Sequence, residues 1–317
     1  MKFKTYSFKL LGTTIFIQLP ESLEATQQLV QECYQECLRI DEWYSRFRKD
    51  YNTLQMLNEI IGEWQEVDDE VLYLFTKAKE YEKNTDNSFS LNTKEILESW
   101  GYNQEYQLEK GLKNKSPDGE EYAVDTIIGK KNKSQFSFQS FEIDEEDSSI
   151  KLHAPIEFGG LGKGYAIDCI VEICREYTQS FLINAGGDLF ASHEDINKGF
   201  EILLEDPKDS TKHIGKIVVN NFALASSSSN RRAWGEFHHI VNPQTQQSAN
   251  EMIATYVQSN TAIDADAYAT ALFAQGFEKA KQSAQEIEEI EVLLISNTHQ
   301  VWKTKNFKAQ LFTTDTK

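Results

Sequence analysis

Glu157-Phe-Gly-Gly-Leu-Gly-Lys-Gly-Tyr-Ala-Ile-Asp168, followed closely by Phe181-Leu-Ile-Asn-Ala-Gly-Gly-Asp-Leu-Phe190, decides how this chain is read. The first stretch sets Gly159, Gly160, Gly162 and Gly164 around Lys163, just before a helical pattern. The second is an apolar strand that runs into Asn184 and the turn Gly186-Gly187-Asp188. Glycines let backbone approach a ligand closely, and a helix N-terminus favours anions through its free N–H groups and dipole. A lysine there adds a point charge suited to phosphate. The spacing is neither that of the P-loop nor G-x-G-x-x-G. On these residues alone the first stretch also fits a glycine-rich turn with a surface lysine, and the second an ordinary Gly-Gly-Asp turn at a strand end. Strand ends are nevertheless a common place for ligand sites.

Outward from this centre, helices and strands mix without a steady βαβ alternation, which predicts an α+β fold. Toward the N-terminus, Phe8 to Leu19 reads as a β-branched strand interrupted by Gly12. Leu23, Leu29, Cys33, Cys37, Leu38 and Ile40 recur at helical spacing and predict a long amphipathic helix from Ser22 to about Phe47. Further helices are predicted over Asp68–Lys83 and Thr93–Trp100, an irregular insertion over Asn103–Glu121, and a strand pair over Phe136–Leu152. Toward the C-terminus come strands at Phe200–Leu204 and Ile214–Val219, a serine run, a His-His-x-x-Asn-Pro turn, an alanine-rich helix and two last strands.

Two more segments carry chemistry. In Thr261-Ala-Ile-Asp-Ala-Asp-Ala-Tyr-Ala-Thr-Ala-Leu-Phe273, Asp266 and Thr270 share one helix face a turn apart. A carboxylate and a hydroxyl are hard oxygen donors of the kind Mg²⁺ takes, leaving its other positions to water and substrate phosphate. The alanines around them would let another backbone segment pack close. An N-terminal helix Asp with a back-bonded Thr explains the same residues. In Glu236-Phe-His-His-Ile-Val-Asn-Pro-Gln-Thr245, the paired histidines could supply an acid, a base or a ring contact, or a structural hydrogen bond.

The bulk properties narrow the classes. The chain has 317 residues with 40% hydrophobic and 12% aromatic content, enough for a packed core in one large domain or two intimately joined lobes over 1–317. The net charge of -18 speaks against nucleic acid and anionic membrane surfaces as partners. It also means that an anionic ligand needs local positive charge, which a divalent cation supplies. The N-terminus has no apolar h-region, no cysteine placed for lipidation and no run long enough for a membrane span, so the expectation is a cytoplasmic protein without membrane insertion. Cys33, Cys37, Cys169 and Cys174 fit free thiols in a reducing compartment rather than a zinc site.

Taken in order, these segments closely resemble the ApbE family of flavin transferases over nearly the whole chain. Leu11-Gly12-Thr13 matches its Met/Leu-Gly-Thr strand start, and Ser45-Arg-Phe47 with Asn58 its Ser-x-Tyr/Phe helix end. Asn87-Ser-Phe-Ser90 with Trp100-Gly-Tyr102, Glu157 to Ala166, and Asn184 to Asp188 follow in family order, then Ala225–Ser228, His239–Pro243 and Ala265–Leu272. The resemblance implies a T-fold-like arrangement of mixed and antiparallel sheets flanked by helices, in two intimately joined lobes. It implies an FAD:protein FMN transferase that uses Mg²⁺, passes FMN to a Ser/Thr hydroxyl of an acceptor protein and releases AMP. FAD pyrophosphate hydrolysis to FMN and AMP, or FAD binding without catalysis, are the alternatives. By position it implies Gly160, Asp266 and Thr270 as metal ligands. Leu11, Phe47, Ser88, Phe89, Ser90, Glu157, Lys163 and Ile240 are implied as FAD contacts, and Asp266 and His239 as catalytic residues. The chain departs from the pattern at Glu157 (usually Asp), Ser90 (Asp), Phe47 (commonly Tyr), Ser226-Ser227-Ser228 (Thr-Ser-Gly) and Asn242 (Asp).

Overall fold

The computed structural model describes residues 1–48, 50–99, 114–115, 121–122, 140–229, 233–234, 237–238 and 240–312. Its centre is one antiparallel sheet of eight strands. In spatial order, which is also chain order, these are β1 (Phe3–Leu10), β2 (Thr13–Pro20), β3 (Phe181–Ala185), β4 (Asp188–Ser192), β5 (Phe222–Ser228), β6 (Met252–Ser259), β7 (Ile290–Ser296) and β8 (Val301–Lys303). Every neighbouring pair is antiparallel. The mixed α+β class read from the sequence holds, with seven helices among the described residues.

Period-2 alternation lets the sheet bury both faces. Ile15, Ile17, Ile183, Phe190, Ala223, Val257 and Leu294 point into the larger core with the helices. Leu182, Leu189, Leu224, Tyr256 and Leu293 point into a second core. That second face is covered by the hairpin Phe200–Asp206/Asp209–Val219 and the short strand Gln310–Leu311.

The helices on the first face are α1 (Thr26–Tyr44), α2 (Thr53–Glu59), α3 (Asp69–Asn84), α4 (Lys94–Ser99), α5 (Gly162–Tyr177), α6 (Ala262–Gln275) and α7 (Phe277–Glu286). α1 buries Leu29, Cys33, Cys37, Ile40 and Tyr44, one side of a helix at the spacing read from the sequence. It stops at Tyr44, three residues short of the predicted end, because Ser45 is extended. Ser45 to Phe47 therefore form a turn.

Three expectations change. Phe8–Leu19 is the inner part of a hairpin, with Leu10 paired to Thr13 across Leu11 (φ 54) and Gly12 (φ 67). Two consecutive positive φ values are what a tight two-residue hairpin turn with right-handed strand twist requires. The serine run, to which the sequence assigns no element, is strand, since Ser226, Ser227 and Ser228 pair with Tyr256, Thr255 and Ala254. α2, α7 and β6 were not anticipated. Of the predicted insertion, only Asn114, Lys115 and Glu121 are among the described residues, where Asn114–Lys115 pairs with Glu121–Tyr122.

Candidate functional site

Helix α6 is apolar nearly all round, and Ala262, Ala265, Ala267, Ala269 and Ala271 are all buried. It crosses α5 where Gly164 sits. A Cβ added to Gly164 would lie 2.3 Å from the Ala262 carbonyl oxygen and 2.6 Å from Ile263 Cα. This is the close backbone approach that the alanine pattern predicted. Asp168, on the same side of α5, accepts from the first N–H groups of α6, Ala262 at 2.7 Å and Ile263 at 2.8 Å. Asp266 returns the arrangement by accepting from Gly164 N at 3.0 Å. Each helix start is thus satisfied by a carboxylate of the other.

Between these helix starts and the strand ends lies a cavity of about 310 Å³. From the α5 entry it takes Glu157, Gly160 and Lys163, and from α6 Asp266 and Thr270. Leu11 and Phe47 line it from the two turns described above. Ser88, Phe89 and Ser90 follow α3, and Ile240 precedes the Asn-Pro turn. Eleven of the twelve residues marked by the resemblance thus meet in one place. The twelfth, His239, lies outside the described residues, as does Trp100-Gly-Tyr102.

Lys163 does not stand alone in the cavity. Its Nζ lies 2.7 Å from Asp188 Oδ2, and 2.9 and 3.0 Å from the two oxygens of Asp266. Both carboxylates are buried. Asp188 is held in turn by Ser226 N, which donates to its Oδ1 at 3.2 Å. Burial pushes the Asp266 carboxyl up to about 6, with Lys163 opposing the rise and Asp188 adding to it. Burial alone would lower the Lys163 ammonium, but the two carboxylates hold it well above its ordinary value.

A second cation lines the cavity. Arg46, buried in the Ser45–Phe47 turn, places Nε 2.7 Å from Glu157 Oε2, and its guanidinium lies 4.5 Å from the centre of the Phe47 ring. Thr93 Oγ1 donates to the other Glu157 oxygen at 2.7 Å. The extra methylene of Glu157 is thus used to reach Arg46 and Thr93. Neither Arg46 nor Asp188 was singled out from the sequence. Asp188 carried a signal, as the last residue of Asn-Ala-Gly-Gly-Asp, whereas Arg46 carried none until α1 was seen to end before it.

Other departures also have local partners. Ser90 Oγ accepts from Asn92 N at 3.1 Å in a tight turn. Asn242 accepts from Gln244 N at 2.9 Å and Thr245 N at 3.0 Å, and donates Nδ2 to the Ala274 carbonyl at 2.8 Å. An aspartate could not make that last bond. Ser227 Oγ lies 3.4 Å from Thr270 Oγ1.

The donors present fit a small divalent cation. Asp266 and Thr270 share one face of α6, and Gly160 packs against Thr270, with a Cβ built on it 3.9 Å from Thr270 Cγ2. The Lys163 ammonium lodged against Asp266 marks that carboxylate as a place where positive charge settles.

The comparisons agree with this construction. The ApbE family profile matches residues 11–294. A curated FAD:protein FMN transferase of Klebsiella pneumoniae is 26% identical over 173 residues, 51% of this chain and 53% of that protein. The Escherichia coli protein of the same name is 23% identical over 291 residues, 86% of this chain and 78% of its own. The first matches therefore span about half the length of those relatives. Among solved structures, the ApbE protein of Thermotoga maritima superposes with a TM-score of 0.82 at 21% identity, covering 96% of this chain and 98% of its own. The flavin transferase ApbE of Vibrio cholerae gives 0.80 at 18% identity over 96% and 98%. Eleven site positions converging in one cavity, the fold and the profile lead to one conclusion: this chain belongs to the ApbE family.

Proposed function

We propose that this protein is a Mg²⁺-dependent FAD:protein FMN transferase. The observation that carries the reading is the convergence on one cavity of residues from six separate stretches: 11, 47, 88–90, 157–163, 240 and 266–270. Two cations, the half-buried Lys163 and the buried Arg46, stand in that cavity although the chain's net charge is -18. The curated relatives are named for the same activity.

In this reading Phe47, Phe89, Leu11 and Ile240 form the apolar surface against which an aromatic ring system packs. Lys163, at the start of α5, faces the diphosphate, where its ammonium holds anionic oxygens. Mg²⁺, held by Asp266, Thr270 and the Gly160 carbonyl, would neutralise the diphosphate and polarise the phosphorus under attack. The acceptor's Ser or Thr oxygen forms a bond to the FMN phosphorus, the bond from that phosphorus to the AMP oxygen breaks, and the hydroxyl proton is released. The chain's part is positioning and electrostatics, the usual division of labour in phosphoryl transfer. The reading extends to a cytoplasmic protein that meets its acceptor there; no described helix is long and apolar enough to cross a membrane.

The test is incubation with FAD, MgCl₂ and candidate acceptor proteins, followed by intact-mass and fragment analysis. The expected result is one FMN mass added to a Ser or Thr. FMN and AMP with an unmodified acceptor would assign hydrolysis instead.

A further inference from the structure

Lys163 stands where a metal ion would have to stand. Its Nζ touches both oxygens of Asp266, at 2.9 and 3.0 Å, so the ammonium sits astride the carboxylate that a cation needs. Oδ2 is further committed to Gly164 N. On the other side, Asp188 Oδ2 is closer still, at 2.7 Å, and belongs to a carboxylate anchored on the sheet by Ser226 N. The lysine is on a flexible stem and its side chain is 27% exposed, whereas both carboxylates are buried and fixed. Of the three groups, Lys163 is the one free to move.

We propose that Lys163 is a built-in competitor for the cation, and that Asp188 is the positioning residue that draws it aside. This rests on the reading of Asp266 and Thr270 as a divalent-cation site. With a cation on Asp266, Lys163 keeps its Asp188 contact and turns its remaining N–H donors toward the substrate's diphosphate. Charge counting supports the exchange. The two carboxylates and one ammonium sum to -1, a divalent cation takes the cluster to +1, and a diphosphate carrying two charges returns it to -1. Cation and diphosphate therefore favour each other's binding, and the coupling is reciprocal. Asp188 acts through Lys163 rather than by touching the reacting atoms.

The experiment is Mn²⁺ binding to the full chain without FAD, read by the electron paramagnetic resonance signal of the free ion. Four proteins are compared: the parent, Lys163→Met, Asp188→Asn and the double variant. Removing the competitor in Lys163→Met is expected to tighten Mn²⁺ binding about tenfold, the scale of one charge-assisted hydrogen bond. Asp188→Asn, which leaves Lys163 with Asp266 alone, is expected to weaken it by about the same factor. The double variant is expected to recover most of that loss. A double variant as weak as Asp188→Asn would make Asp188 a ligand in its own right and overturn the proposal. So would a Lys163→Met protein that binds Mn²⁺ no better than the parent. Failure of the parent to bind Mn²⁺ at all would overturn the reading of the site, and this inference with it. Thermal unfolding keeps the test sharp where Lys163→Met is less stable. Two buried carboxylates without their ammonium should give it a larger Mn²⁺-dependent rise in Tm than the parent shows, and an equal or smaller rise counts against the proposal.

Discussion

Asp266 accepts from Gly164 N in the first turn of α5, holds Lys163 and, in the proposed function, receives a cation. Asp266→Ala is therefore expected to lower Mg²⁺-dependent FAD turnover by about two orders of magnitude or more, since metal stabilisation of transition-state charge is worth several kcal/mol. Thr270→Val should cost about tenfold, because water replaces a neutral ligand in an octahedral shell. FMN release across a magnesium titration measures both, with circular dichroism to confirm folding. Asn242 makes a different kind of claim. Asn242→Asp loses the bond to the Ala274 carbonyl and sets a carboxylate against it, so a loss of about 1–3 kcal/mol in urea unfolding is expected. At this scale the sequence was informative wherever a residue's chemistry is readable alone, as with the Asp266/Thr270 pair or the lysine among glycines. It was silent on pairings. That Lys163 would meet Asp188, or Arg46 would meet Glu157, depends on side chains brought together from distant parts of the chain.

Among the elements, the contact that places the site is α5 against α6, and it has no room to spare. Gly164→Ala puts a methyl group 2.3 Å from a backbone oxygen that cannot swing away. Separating the two helices is expected to cost about 1–3 kcal/mol, the usual scale of overpacking. It should also weaken FAD binding, because Asp266 and Lys163 sit on opposite sides of that contact. Urea unfolding and flavin-fluorescence titration check the two parts. The long helix α1 and the alanine-rich α6 were legible because their burial follows helical spacing. Strand β5 was not, since Ala-Ser-Ser-Ser has the composition of a loop. Its small side chains instead meet the small side chains of α6 and let the helix lie close on the sheet, where packing overrides propensity. The hairpin turn at Leu11-Gly12 was read as an interruption for a related reason. Leucine at positive φ is uncommon, and such backbone cost is found where a site holds it in place.

On the scale of the molecule, the eight-stranded sheet separates a helical face that holds the cavity from a second core that only supports it. The helical core also buries a carboxylate away from the cavity. Glu82, buried beside Ser140 Oγ at 3.2 Å, is pushed up to about 7 by burial, with Ser140 and Lys79 opposing. Its folded value exceeds its ordinary value, so the folded state binds the proton more tightly. The stability it contributes is present at low pH and lost as pH rises through about 7. Glu82→Gln should remove that loss, gaining about 1–3 kcal/mol over the parent at pH 8 and nothing near pH 4. Urea unfolding at the two pH values reads it directly. The acidic surface, by contrast, leaves Lys163, Arg46 and a bound cation to receive a diphosphate, which is the heart of the proposed function. The most direct test follows AMP release and acceptor-bound flavin in one reaction with FAD, with Mg²⁺ added back after chelation. The expected result is one AMP for each FMN fixed to the acceptor, both absent under EDTA and both restored by Mg²⁺. AMP and acceptor-bound flavin that persist under EDTA, or FAD that binds with Mg²⁺ while no acceptor is ever flavinylated, would contradict it.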